Sequence, residues 1–228
     1  MALIKTNRNA DAVKDGGGNS KYINKPGFYD LTILAAIANQ GNGEALTIDF
    51  YVDYQDQPQP LYGNLRVFNK DGSENKIGMA TFNKLLVILD EDEAADPEEA
   101  TLPIGKDGAD KDVAIIPNIT DVDVCMQIVI EYSVWDGSIQ EKKIIRNFYR
   151  AGDHATASEI VNEAEPGVQY QKDVEYLENS ENKGYIYKDN LTKEQVEQWI
   201  KDGRPKGTVG GSTTVKKPSF AKKRFGAK

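Results

Sequence analysis

Two stretches of this chain carry aromatic and cationic side chains at a spacing of two. In the first, over Leu61 to Asn69, Tyr62, Asn64, Arg66 and Phe68 alternate with Leu61, Leu65 and Val67, and Lys70 follows. If the leucines and valine face inward, an extended strand turns Tyr62, Arg66 and Phe68 outward together. The second, over Ile139 to Arg150, places Lys142, Ile144, Arg146, Phe148 and Arg150 on one face. Flat rings and guanidinium groups stack on bases, and cations follow a phosphate backbone, so this pattern fits sequence-tolerant binding of a single strand. Tyr51, outward on the preceding strand, extends the first patch across an antiparallel pair, and Trp135 at a hairpin tip offers a further stacking ring. Four bland readings compete. A terminal segment covers Tyr62 and Phe68, or the register is inverted and buries them. The second stretch is an edge strand guarded by cations, and Trp135 packs on its own hairpin.

Other chemistries lack their residues. The chain has one histidine, His154, and one cysteine, Cys125, too few for a zinc set built from Cys and His alone. A Ser-His-Asp or Cys-His triad would rest on His154 only. No Walker loop and no G-x-G-x-x-G occurs. The acidic run Asp90 to Glu99 lacks calcium-loop spacing and reads as a solvated loop, or as a dock for a basic segment. We therefore expect no catalytic residue, no metal and no cofactor.

Charge is divided unevenly. Residues 201–228 hold nine basic side chains and one acid, whereas residues 1–200 hold 19 basic and 35 acidic ones. The net charge of −8 is thus an acidic body with a basic tail, in which Lys222, Lys223 and Arg224 join the candidate DNA contacts. No run of 18 apolar residues and no apolar leader is present, and one cysteine leaves no internal disulfide. These features lead us to expect a cytoplasmic protein with no membrane partner.

The elements that must position these residues follow from periodicity. Gly27 to Ala36 is rich in aromatic and β-branched residues, and Ala45 to Tyr54 alternates strictly, so both read as strands. Leu61 to Asn69 is a third strand. Met79, Phe82, Leu85, Leu86 and Leu89 recur at helical spacing. Val122 to Tyr132 and Ile139 to Arg150 form two more strands across a turn at Asp136-Gly137. Thr156 to Asn162 reads as a short helix, and a capping box at Thr192 opens another through Ile200, anchored by Trp199. The expected organisation is an arm over 1–21, a β-domain over 22–165 with an acidic loop at 90–111, an extension over 166–203 and a disordered basic tail over 204–228. Five strands with a helix between the third and fourth is the order of the OB-fold, a five-stranded Greek-key barrel.

Three segments, GFYDLTI, LYGNLRVFNKDGSENKIGMATFNKLL and HATASEI, together resemble phage-type single-stranded-DNA-binding proteins. The resemblance spans roughly residues 22–165. It implies an OB-fold, single-stranded DNA as partner, and phage replication, recombination or repair in the infected bacterial host, with replication or recombination proteins as further partners. The acidic tail common in such proteins is replaced here by KKPSFAKKRFGAK. Two rivals remain: a phage interaction or structural component that binds no nucleic acid, and a metal-dependent nuclease built on carboxylates.

Overall fold

A computed structural model of the chain describes residues 22–105 and 108–205; the expected arm (1–21) and all of the basic tail beyond Pro205 lie outside them. The fold is mainly β. Eight strands make one sheet: β1 (Gly27–Gln40), β2 (Leu46–Asp53), β3 (Pro58–Phe68), β4 (Glu98–Leu102), β5 (Lys111–Ile115), β6 (Val122–Trp135), β7 (Ser138–Arg150) and β8 (Tyr185–Tyr187). Helices α1 (Lys76–Ile88), α2 (Ala157–Val161), α3 (Val168–Asn179) and α4 (Lys193–Lys201), with a short 3-10 turn at Pro117–Ile119, complete the described elements. Among the described residues, no helix is long and apolar enough to cross a membrane.

β1 organises the sheet because it belongs to two long ladders and a short third one. Gly27 to Ile33 pair with β6, and Thr32 to Gln40 pair with β2, with a bulge between Ile33 and Ala35. Beyond Ile33, the edge released by β6 is taken by β5 at Ile37–Ile115. Beyond Gly27, the edge of β6 is taken by β8, the only parallel pairing among the described strands. β2 pairs with β3 and β6 with β7, but no ladder joins β3 to β7 among the described residues. The β6–β7 connection is the Asp136-Gly137 pair, both at positive φ, which matches the right-handed twist of a two-residue hairpin.

The main core lies between the inward faces of these strands. Phe50, Leu61, Leu65, Val67, Met126, Ile128 and Phe148 meet Phe82 and Leu85 of α1 there. α1 starts at Asn75, whose side chain accepts from the Gly78 N–H at 3.0 Å. Gly78 is needed for contact with β3: a Cβ there would lie 1.9 Å from the Arg66 carbonyl oxygen. A second core under α4 and β8 holds Ile130, Tyr132, Ile139 and Val196, with Trp199 against Tyr132 at 6.3 Å.

Three expectations about organisation change. The acidic loop at 90–111 contains β4 and leads into β5. Their hairpin places Ile104 and Leu102 on Ala35, Ile37 and Tyr51, on the outer side of β1 and β2. The extension expected over 166–203 contains α3 and β8 ahead of the helix opened by Thr192. The body also extends past 204: Arg204 lies 5.8 Å over the Trp199 ring and pairs with Glu141 at 3.0 Å, and the Trp199 indole donates to the Pro205 carbonyl.

Candidate nucleic-acid interface

The outward face of β3 keeps the alternation read from the sequence. Leu61, Leu65 and Val67 are buried, Arg66 is exposed, and Tyr62 is 53% exposed. The β2–β3 register slips between Ile48–Leu65 and Phe50–Leu61, so three residues, Tyr62 to Asn64, oppose Asp49 alone. This bulge is held by the Asp49 carboxylate, which accepts from the Gly63 N–H, from the Asn64 N–H at 3.3 Å and from the Asn39 amide at 2.9 Å. Gly63 sits at φ +64°, a conformation glycine adopts at little cost.

Over the bulge lies β7. A Cβ placed on Gly63 would be 3.6 Å from the Lys142 ammonium nitrogen. Burial pushes the Asp49 carboxyl up, against the lowering pull of its N–H donors and of Lys142 and Lys111. The Glu131 carboxylate, opposite Lys142 in the ladder, is engaged by Lys188 at 2.6 Å. The Tyr62 hydroxyl donates to the Ile104 carbonyl at 3.0 Å, which fixes the ring beside the β4–β5 hairpin. The result is an exposed, tethered aromatic ring with a lysine beside it and an arginine further along the same strand.

Several expected contacts are elsewhere. Phe148 is fully buried and meets Phe50 edge-on at 5.8 Å. The reason is a bulge: Gln127 pairs with Asn147 and Ile128 with Ile145, leaving Arg146 as an extra residue. Lys142 and Ile144 therefore face outward, while Phe148 and Arg150 fall in the inward phase. Arg150 is exposed but clamped by Asp153, at 2.5 and 3.1 Å. Tyr51 is only 9% exposed, covered by the β4–β5 hairpin. Phe68 is half-buried against the main core rather than presented outward. Lys70 is exposed at the turn after β3, and its carbonyl accepts from the Glu44 N–H at 3.2 Å. Arg146 borders a groove of about 680 Å³ with Lys84, Asn147, Tyr176 and the acids Asp173 and Glu181. Trp135 is 76% exposed at its hairpin tip, rimming a cavity of about 350 Å³ with Trp199, Glu141 and Arg204. Lys222, Lys223 and Arg224 lie outside the described residues.

A different outward surface, over β1, β6 and the end of β7, is covered. Tyr149 contacts Phe28 and Tyr170, Tyr170 of α3 also meets Phe28, and the His154 ring stacks on Tyr170 at 4.2 Å and 10°. The Tyr149 hydroxyl donates to Asp173 at 2.8 Å. At the edge of the stack, Asp30, Cys125 and His154 bring their ligand-type atoms within 4.8 Å of one another. Cys125 is fully buried; burial pushes its thiol up, and Asp30 adds to that. Asp30 carries no sequence signal, since its neighbours in space come from residues 125 and 154.

No protein-family model, no curated protein and no solved structure matches this chain.

Proposed function

We propose that the chain binds single-stranded DNA without sequence preference, on a five-stranded Greek-key unit made of β1, β2, β3, β6 and β7 with α1 between its third and fourth strands. The pairing of β1 with both β2 and β6, and the seating of α1 on β3 and β7, support that reading of the fold. The observation that carries the function is Tyr62. An exposed aromatic ring, tethered through its hydroxyl and flanked by Lys142 over the Gly63 bulge, has the parts a stacked base and its phosphate need. Arg66 on the same strand extends the phosphate path, and Trp135 is a second platform at the end of the β6–β7 hairpin. Coating would protect a strand and remove its secondary structure, which suits replication, recombination or repair of a phage genome in the host cytoplasm. The DNA and other phage replication proteins are the partners; no catalytic step and no cofactor is assigned to this activity.

One observation favours a second reading, an interaction or structural component that binds no nucleic acid. The β4–β5 hairpin beside Tyr62 bears Glu98, Glu99, Asp110 and Asp112, whose field opposes a polyanion. Fluorescence titration with oligo-dT at two salt concentrations separates the readings. Quenching that weakens with salt and is diminished in Tyr62→Ala supports single-strand binding. Absence of binding supports the second reading, and metal-dependent cleavage of the oligonucleotide supports a nuclease.

A further inference from the structure

We propose that Asp30, Cys125 and His154 form a binding site for one Zn²⁺ ion per chain, with a water molecule as fourth ligand. The site does not depend on DNA binding.

The register of the sheet brings two of the ligands together. Asp30 of β1 and Cys125 of β6 are direct ladder partners, so their side chains project from adjacent positions on the same face. His154 enters from the loop after β7, where its N–H donates to the Arg150 carbonyl at 3.0 Å, and its Nε2 lies 3.0 Å from an Asp30 carboxylate oxygen. All three ligand atoms lie within 4.8 Å. Zinc bonds of about 2.0–2.3 Å to N, O and S place tetrahedral ligands roughly 3–4 Å apart. The remaining closure is within reach of a rotation of the Asp30 side chain, which is 74% exposed. The Tyr170 stack fixes the plane of the imidazole, as outer-shell contacts do at metal sites.

Donor chemistry selects the ion. Sulfur and imidazole nitrogen favour zinc over magnesium or calcium, which take oxygen ligands. Charge also balances: a thiolate and a carboxylate neutralise a divalent cation at a place where an uncompensated thiolate is costly. Asp30 also lines a neighbouring cavity of about 480 Å³ with Asp53, Asp56 and Asp123, whose carboxylates attract cations. Thiol catalysis is the poorer assignment, because Cys125 is fully buried and a nucleophilic thiolate needs access to its substrate. Counting Cys and His alone excludes a zinc set in this chain; the carboxylate supplies the missing ligand.

The full-length, metal-free chain is titrated with Zn²⁺ against a chromophoric chelator, and separately with Co²⁺ while near-ultraviolet absorption is followed. One Zn²⁺ per chain and a thiolate-to-cobalt charge-transfer band are expected. Cys125→Ser abolishes the band, and His154→Gln and Asp30→Asn each weaken Zn²⁺ binding more than about tenfold. Glu98→Gln, on the β4–β5 hairpin, leaves both readings unchanged. If Cys125→Ser fails to fold, the partly exposed His154 and Asp30 variants decide. Absence of stoichiometric Zn²⁺ binding, or Zn²⁺ binding undiminished in His154→Gln and Asp30→Asn, overturns the proposal, as does a cobalt complex without the thiolate band.

Discussion

Two outward surfaces of the same sheet carry similar residues and have opposite fates. Over β1, β6 and β7, Phe28, Tyr149 and His154 are roofed by Tyr170 of α3. Over β3 and β7, Tyr62, Arg66 and Lys142 have no such roof among the described residues, and the β4–β5 hairpin meets Tyr62 through a hydrogen bond. Strand alternation describes both surfaces equally well. What separates them is whether a later segment supplies apolar cover, and α3 does so through Tyr170 and the Asp173 bond to Tyr149. An outward aromatic is thus a ligand platform only where the chain leaves it bare.

The largest expected effect tests the inward side of that boundary. Phe148→Ala should cost about 3–5 kcal/mol of stability in denaturant unfolding, as for a core phenylalanine. A small loss would return Phe148 to the outer face and undo the bulge at Arg146. On the bare surface, Tyr62→Ala should weaken oligo-dT binding by about 1–3 kcal/mol with little change in Tm. A large drop in Tm would mean that Tyr62 is roofed like Tyr149.

The roof itself can be loosened through Glu159. Its carboxylate accepts from the Thr156 N–H and from the Gln169 N–H at 2.7 Å, which ties α2 to the start of α3. Glu159→Gln should cost about 1–2 kcal/mol in thermal unfolding. Burial pushes this carboxyl up, but the N–H donors and the Thr156 hydroxyl outweigh it and hold it below the ordinary glutamate value. A depressed folded-state value stabilises the protein above the unfolded value of about 4.3, and the gain is lost as pH falls through the folded value. Wild-type Tm should therefore fall more steeply than that of Glu159→Gln below about pH 4.3.

The smallest effects concern single charges on the bare face. Arg66→Ala and Lys142→Ala should each flatten the log–log salt dependence of single-strand binding by about 0.7, equally for oligo-dT and oligo-dA. An unchanged slope for Lys142→Ala would remove β7 from the phosphate path.

How much of this was legible in the sequence depended on range. The period-2 runs of β2 and β6, the Asp136-Gly137 turn and the capping box at Thr192 are local signals, and each marks its element. The inward phase of Leu61, Leu65 and Val67 was legible for the same reason. Bulges were not, because one extra residue at Arg146 changes no composition yet inverts the face of everything after it. β4 was hidden because Glu98 and Glu99 read as solvated charge, while its apolar end at Leu102 packs on β1 and β2 only through tertiary contact. The Asp30–Cys125–His154 cluster depends on the β1–β6 register and a loop beyond β7, which no spacing rule reaches.

The double membership of β1 has a consequence for synthesis. Its N-terminal half waits for β6, since Ile33 pairs with Val122 and Gly27 with Ile128. At about 5–20 residues per second, a ribosome takes roughly 5 to 20 seconds to make the intervening chain. During that interval Gly27 to Ile33, an apolar and aromatic strand, has an open backbone edge that invites pairing with other chains. The nascent protein is thus most vulnerable while its central strand is half-married, and the arrival of β6 ends that exposure in one step.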